Sequence, residues 1–148
     1  MQRTDLKDAP CPIARTLDLI GEWWTLLILR DAFAGLNRFS EFQSSLGMSK
    51  NVLIARLRKL VEHDVLVLTP VAEGGAYQRY ALTQKGRSLY LVMVALRQWG
   101  EQNLCEMNEL EVELVDRRDQ LPVHMELRSH DGRLLGVEDL AMVASRDR

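Results

Sequence analysis

The chain has 148 residues, 47% of them hydrophobic and 27% charged, a balance that suits one globular domain with one core. No apolar run reaches the roughly 18 to 20 residues needed to span a bilayer, and the opening MQRTDLKDAPCP has no apolar signal-peptide region. Two cysteines without CxxC spacing supply neither a disulfide framework nor a structural zinc. The expectation is a protein of a reducing cytoplasm with no metal, no cofactor and no membrane partner.

The net charge of −2 conceals an asymmetry. Residues 1–100 carry 13 Lys and Arg against 9 Asp and Glu, whereas residues 101–148 carry 6 against 12. Within 38–60, Arg38, Lys50, Arg56, Arg58 and Lys59 face the single Glu41. Such a surplus suits phosphate, and equally suits a solvated helix face.

Taken in chain order, Pro12 sits where a helix begins, because a first-position proline lacks only an N–H that would be unpaired anyway. Ile13, Leu17 and Ile20 recur at helical spacing up to Gly21. Trp24, Leu27, Ile28 and Phe33 continue a nearly all-apolar segment to Gly35, the pattern of a helix at the centre of a core. Ser40, Phe42 and Leu46 predict a short third helix that stops at Gly47. Ser49 is an N-cap candidate for a fourth, with Leu53, Leu57, Leu60 and Val61 on one face and Asn51, Ala55, Arg58, Lys59 and Glu62 on the other.

The period then changes. Val65 to Thr69 reads as a strand closed by Pro70, Glu73-Gly74-Gly75-Ala76 as a turn, and Tyr77 to Leu82 as the returning strand. Thr83 caps a predicted long helix with Leu89, Val92, Leu96 and Trp99 on one stripe, resumed at Leu104, Met107, Leu110 and Leu114. An apolar seam on so small a domain calls for a second copy of the chain to cover it. Pro122 to Leu135 reads as a small hairpin with a type I′ turn at Asp131-Gly132. The expected division is a domain over 1–115 and a C-terminal extension over 116–148.

Helix, helix, short helix, basic helix, hairpin, long helix is the order of a winged helix-turn-helix, mainly α with a small β-hairpin wing. Such a fold lays one helix in the major groove, about 12 Å wide, while the hairpin reaches neighbouring phosphate. The segments Cys11-Pro12, LDLIGEWWTLLILRD (17–31), RFSEFQ (38–43), SKNVLIARLRKL (49–60) and YALTQKG (80–86) resemble the HxlR-type winged helix-turn-helix transcriptional regulators of the MarR-like group. The resemblance implies a dimeric bacterial repressor or activator joined through its N- and C-terminal helices. It implies operator DNA as partner, the fourth helix as reader, and no enzymatic activity.

Carried over residue by residue, the resemblance puts Ser49, Lys50 and Asn51 at the start of the recognition helix, Ala55 on its outer face, and Arg56 and Arg58 in the family's RLR. Ser40 falls where the supporting helix meets the DNA backbone, and Arg79 falls on the wing. The chain departs from the pattern in four places. Ile54-Ala55 stands where many relatives have Ser or Thr followed by Gln, so base readout differs there. Trp23 replaces a usually small or basic residue, as an extra core or dimer aromatic or as a partner surface. Val65 stands where relatives have a glycine, so the helix is expected to end differently. The tip Glu73-Gly74-Gly75 lacks basic residues for a minor-groove grip.

Cys11 stands at the N-terminus of the first predicted helix, where the dipole and free N–H groups favour a thiolate. In the resembling family a cysteine here can sense oxidants or electrophiles; a buried structural thiol is the other reading. Cys105 is expected to be an inert buried thiol in the C-terminal helix. His63, His124 and His130 are dispersed, and no GxSxG, phosphate loop or carboxylate pair suggests catalysis. The function expected is a homodimeric DNA-binding regulator controlled through Cys11. The alternatives are control by a small molecule between the dimer helices, and a dimeric interaction module without DNA affinity.

Overall fold

A computed structural model describes residues 5–71, 78–106 and 109–144. The predicted turn at Glu73-Gly74-Gly75-Ala76, together with Tyr77 and Met107, lies outside the described residues. The chain divides into two compact units, Met1–Met93 and Val94–Arg148.

The first unit runs α1 (Pro12–Ile20), α2 (Trp23–Phe33), α3 (Phe39–Leu46), α4 (Lys50–Glu62), β1 (Leu66–Pro70), β2 (Gln78–Leu82), α5 (Gln84–Ser88) and the start of α6 (Tyr90–Asn103). Pro12 opens α1 as expected, and Ser49 caps α4 by accepting the Val52 N–H. Ile28 and Leu29 of α2, Phe42 of α3 and Leu53, Leu57 and Leu60 of α4 are buried with Val65 and Leu66 in one cluster. Burying each such side chain stabilises the fold by roughly 1.5 to 3 kcal/mol relative to leaving it exposed. The core therefore fixes which face of α4 points outward. The strands pair antiparallel, Leu66 opposite Leu82 and Thr69 opposite Arg79, and the Tyr80 N–H donates to the Asn37 carbonyl at 2.8 Å, tying β2 to the loop before α3.

Helix α4 ends without a glycine, as the residue at position 65 implied. Asp64 takes the left-handed conformation at φ 57°, its N–H donating to the Val61 carbonyl and that of Val65 to the Leu60 carbonyl. This is a Schellman motif shifted so that the left-handed position falls on Asp64, leaving Val65 to pack against the core. Aspartate accepts that conformation more readily than a β-branched residue.

Two expectations are corrected. The long helix after Thr83 breaks at Leu89, whose N–H donates to the Gly86 carbonyl, and stops at Asn103, so Leu104, Leu110 and Leu114 are not helical. At the far end the Asn103 side-chain amide donates back to the Trp99 carbonyl, one turn earlier, at 2.8 Å. In the second unit, the turn at Asp131-Gly132 is present but is not type I′. Only Gly132 has positive φ, at 87°, and its N–H donates to the Ser129 carbonyl, giving a type I turn followed by a bulge glycine. An Arg128 to Leu134 bridge follows it. Elsewhere in that unit the Gln98 side chain donates to the Val123 carbonyl and accepts from the Met125 N–H.

Candidate nucleic-acid interface

Helices α3 and α4 are joined through Gly47, which is left-handed at φ 62°; a side chain there would be strained. Its N–H donates to the Gln43 carbonyl. The short connection sets α4 across α3, with Leu53, Leu57 and Leu60 inward. Outward go Ser49, Lys50, Asn51, Ile54, Ala55 and Arg58, all exposed. Among the described residues, Lys50, Asn51 and Arg58 have no ion pair or side-chain hydrogen bond.

Arg56 and Lys59 are placed otherwise. Arg56 lies on the flank of α4 turned to α2, its Nε 3.1 Å from Glu22 Oε2, with both side chains largely covered. Lys59 Nζ donates to the Asp18 carbonyl at 2.6 Å and lies 3.9 Å from the Asp18 carboxylate. Glu22 also caps α2 by accepting the Thr25 N–H. Two of the five cations in the basic segment are thus engaged by carboxylates of the preceding helices. Arg38, Lys50 and Arg58 keep their charge at the surface. A helical wheel places Arg56 and Arg58 on different faces, but nothing in the sequence pairs Arg56 with a residue so far upstream.

Ser40 is exposed in the first turn of α3. The capping role at that terminus belongs to Glu41, whose Oε2 accepts the N–H groups of Asn37 and Arg38, each at 2.9 Å. Those two bonds chiefly hold the Glu41 carboxyl below its ordinary value, with smaller contributions from the charges of Arg38 and Arg79. Arg79 is half-buried, and its charge acts on the Glu41 carboxyl. Arg38, Phe39 and Ser40 line a cleft of about 570 Å3 with Leu68, Val71, Gln78 and Tyr80 of the hairpin.

Trp23 is 58% exposed and stacks on Trp24 with ring centroids 3.8 Å apart; it is a surface aromatic and not a core one. Cys11 is the exposed N-cap of α1, with no side-chain capping bond. Cys105, expected to be buried in a helix, is exposed and lies beyond the end of α6. The wing tip Glu73-Gly74-Gly75 lies outside the described residues.

A family model described as HxlR-like helix-turn-helix matches residues 19–108. The chain belongs to the HxlR-like helix-turn-helix family. The HxlR-like segment takes in α2 to α6 and so the whole winged helix-turn-helix just described. Over nearly its full length the chain is similar to the crystal structure of PA1607, assigned as a transcription factor. The two share 52% identity at a TM-score of 0.87, covering 97% of this chain and all of that one. The HTH-type transcriptional regulator Rv3095 of Mycobacterium tuberculosis is 42% identical over 92 residues, which are 62% of this chain and 58% of the relative; the chain therefore matches little more than half of that protein's length. The redox regulator HypR in its reduced form is 28% identical at a TM-score of 0.58, over 63% of this chain and 93% of its own. The relatives of this HxlR-like chain are named as HTH-type transcriptional regulators.

Proposed function

We propose that this HxlR-like regulator binds operator DNA as a cytoplasmic homodimer, reading the major groove with α4 and acting as a repressor whose input is the state of Cys11. The observation that carries the reading is the sorting of cations on α4. Lys50 and Arg58 remain at the surface beside Asn51, while Arg56 and Lys59 are neutralised within the fold. Phosphate neutralisation needs free cations, and base readout needs side chains that project together from one helix face. Ser40 and Ser49 supply hydroxyls next to helix N-termini for phosphate oxygens, Ala55 lies on the reading face, and Arg56 and Arg79 position the elements that carry the contacts.

Dimerisation is supported by apolar side chains left at the surface of helices. Ile13 of α1 is 64% exposed, and Leu96 and Trp99 of α6 are 49% and 59% exposed. A second copy that covers them would set two α4 helices on half-sites about 34 Å apart, one turn of the duplex. The redox input is supported by the exposed Cys11 thiol at a helix start and by the likeness to a redox regulator. Oxidation or capping there adds bulk or charge beside the dimerising helix.

Titration against the DNA upstream of its own gene, with and without diamide, tests this beside Cys11→Ser. The expected result is binding that weakens steeply with salt and that diamide releases from the wild type alone. A Cys11→Ser protein that still responds would move the input to a small-molecule ligand. Absence of binding to intergenic DNA would favour a dimeric interaction module.

A further inference from the structure

On the outer face of α4, Asn51, Ile54, Ala55 and Arg58 stand at successive three- and four-residue spacings and so form one contiguous patch. All four are exposed, and Lys50 borders the patch one turn before Ile54. Ile54 is 36% exposed on a helix whose buried seam is already filled by Leu53, Leu57 and Leu60. The centre of the most polar side of this helix is therefore apolar, with hydrogen-bonding groups at either end.

We infer that Ile54 and Ala55 read the C5-methyl groups of thymines in the operator, between an adenine contacted by Asn51 and a guanine contacted by Arg58. The inference deepens, and rests on, the reading of α4 as the DNA-contacting helix. Isoleucine and alanine side chains offer no donor or acceptor. Pressed against the amino group of cytosine or adenine, or against O6 and N7 of guanine, they would strand a desolvated polar group. Against the thymine methyl, the one apolar group on a major-groove edge, they bury surface on both sides. The flanking charges of Lys50 and Arg58 suit the phosphates and base edges of DNA, whereas an apolar partner would have to desolvate both cations without neutralising them.

The test uses the full chain and no variant at first. Duplexes are selected from a random-sequence pool, and each thymine of the selected site is then replaced by deoxyuridine, which removes only the methyl. Loss of affinity of about three- to tenfold at one or two thymines per half-site is expected, the scale of one buried methyl. At the thymine read by Ile54, Ile54→Ser should bind the thymine and deoxyuridine sites within about twofold of each other. Equal binding of both sites by the wild type overturns the inference alone, as does an undiminished deoxyuridine penalty in Ile54→Ser. If thermal melting shows that Ile54→Ser is unfolded, Ile54→Val takes its place, and the wild-type comparison still decides. Selection that enriches no sequence overturns the reading of α4, and this inference with it.

Discussion

Arg56 and Arg58 are two residues apart and play opposite parts. Arg58 projects into solvent, so Arg58→Ala should weaken binding to the operator by roughly 1 to 3 kcal/mol, while thermal melting stays where it was. Arg56→Ala should do the reverse. It removes a largely covered partner of Glu22, and stability should fall by about 1 kcal/mol before any change in sequence preference appears. A melting curve beside a binding isotherm separates the two. The outward face of α4 was legible in the sequence, because the leucine spacing alone orients the helix. The pairing of Arg56 and Lys59 was not, because it depends on how α1 and α2 cross α4. Asp64 shows the same division. A non-glycine end to α4 followed from Val65, but only the backbone reveals that Asp64 carries the left-handed turn, where Asp64→Val should destabilise by about 1 to 2 kcal/mol.

Among the elements, α5 lies hard against Val65, the residue that leads into β1. A Cβ on the buried Gly86 would lie 2.1 Å from the Val65 carbonyl oxygen, and that backbone atom cannot rotate away. Gly86→Ala should therefore part the strand from α5 and cost about 3 kcal/mol, read as a fall in the denaturant midpoint. The glycine of the YALTQKG segment was visible in the sequence, but its reason, a close approach across the chain, was not. The N-terminus of α3 carries a pH signature. Glu41 has a carboxyl pKa below its ordinary 4.5 because the Asn37 and Arg38 N–H groups bond the charged form. Its contribution to stability is complete above 4.5 and is lost as the pH falls through the lower folded value. Glu41→Gln should flatten that part of the stability profile, and an unchanged acid limb would contradict the capping role. The resemblance singled out Ser40 as a DNA-backbone contact, and the cap of this helix is a separate role. That role falls to the carboxylate one position later, which reaches back to two unpaired N–H groups at once.

At the scale of the molecule, the chain pattern gave the winged helix-turn-helix of the first unit in its order of elements, and misread the path beyond α6. Periodicity continued past Asn103, but α6 ends there, and Leu104, Leu110 and Leu114 follow a non-helical path. The apolar residues of α6 remain exposed, and their burial between two copies is the proposed origin of the dimer. Leu96→Glu should then halve the mass seen by sedimentation and reduce operator affinity, with helical content retained. The central claim, that α4 reads DNA, is tested most directly by equilibrium titration of the wild type and Arg58→Ala against the selected duplex and an unrelated one, across a salt series. The account predicts preference for the selected duplex and a steep fall in affinity with salt; in Arg58→Ala it predicts a loss of roughly tenfold or more on the selected duplex and a weaker preference for it. Equal affinity for the two duplexes, or an Arg58→Ala titration that overlays the wild type, would contradict it.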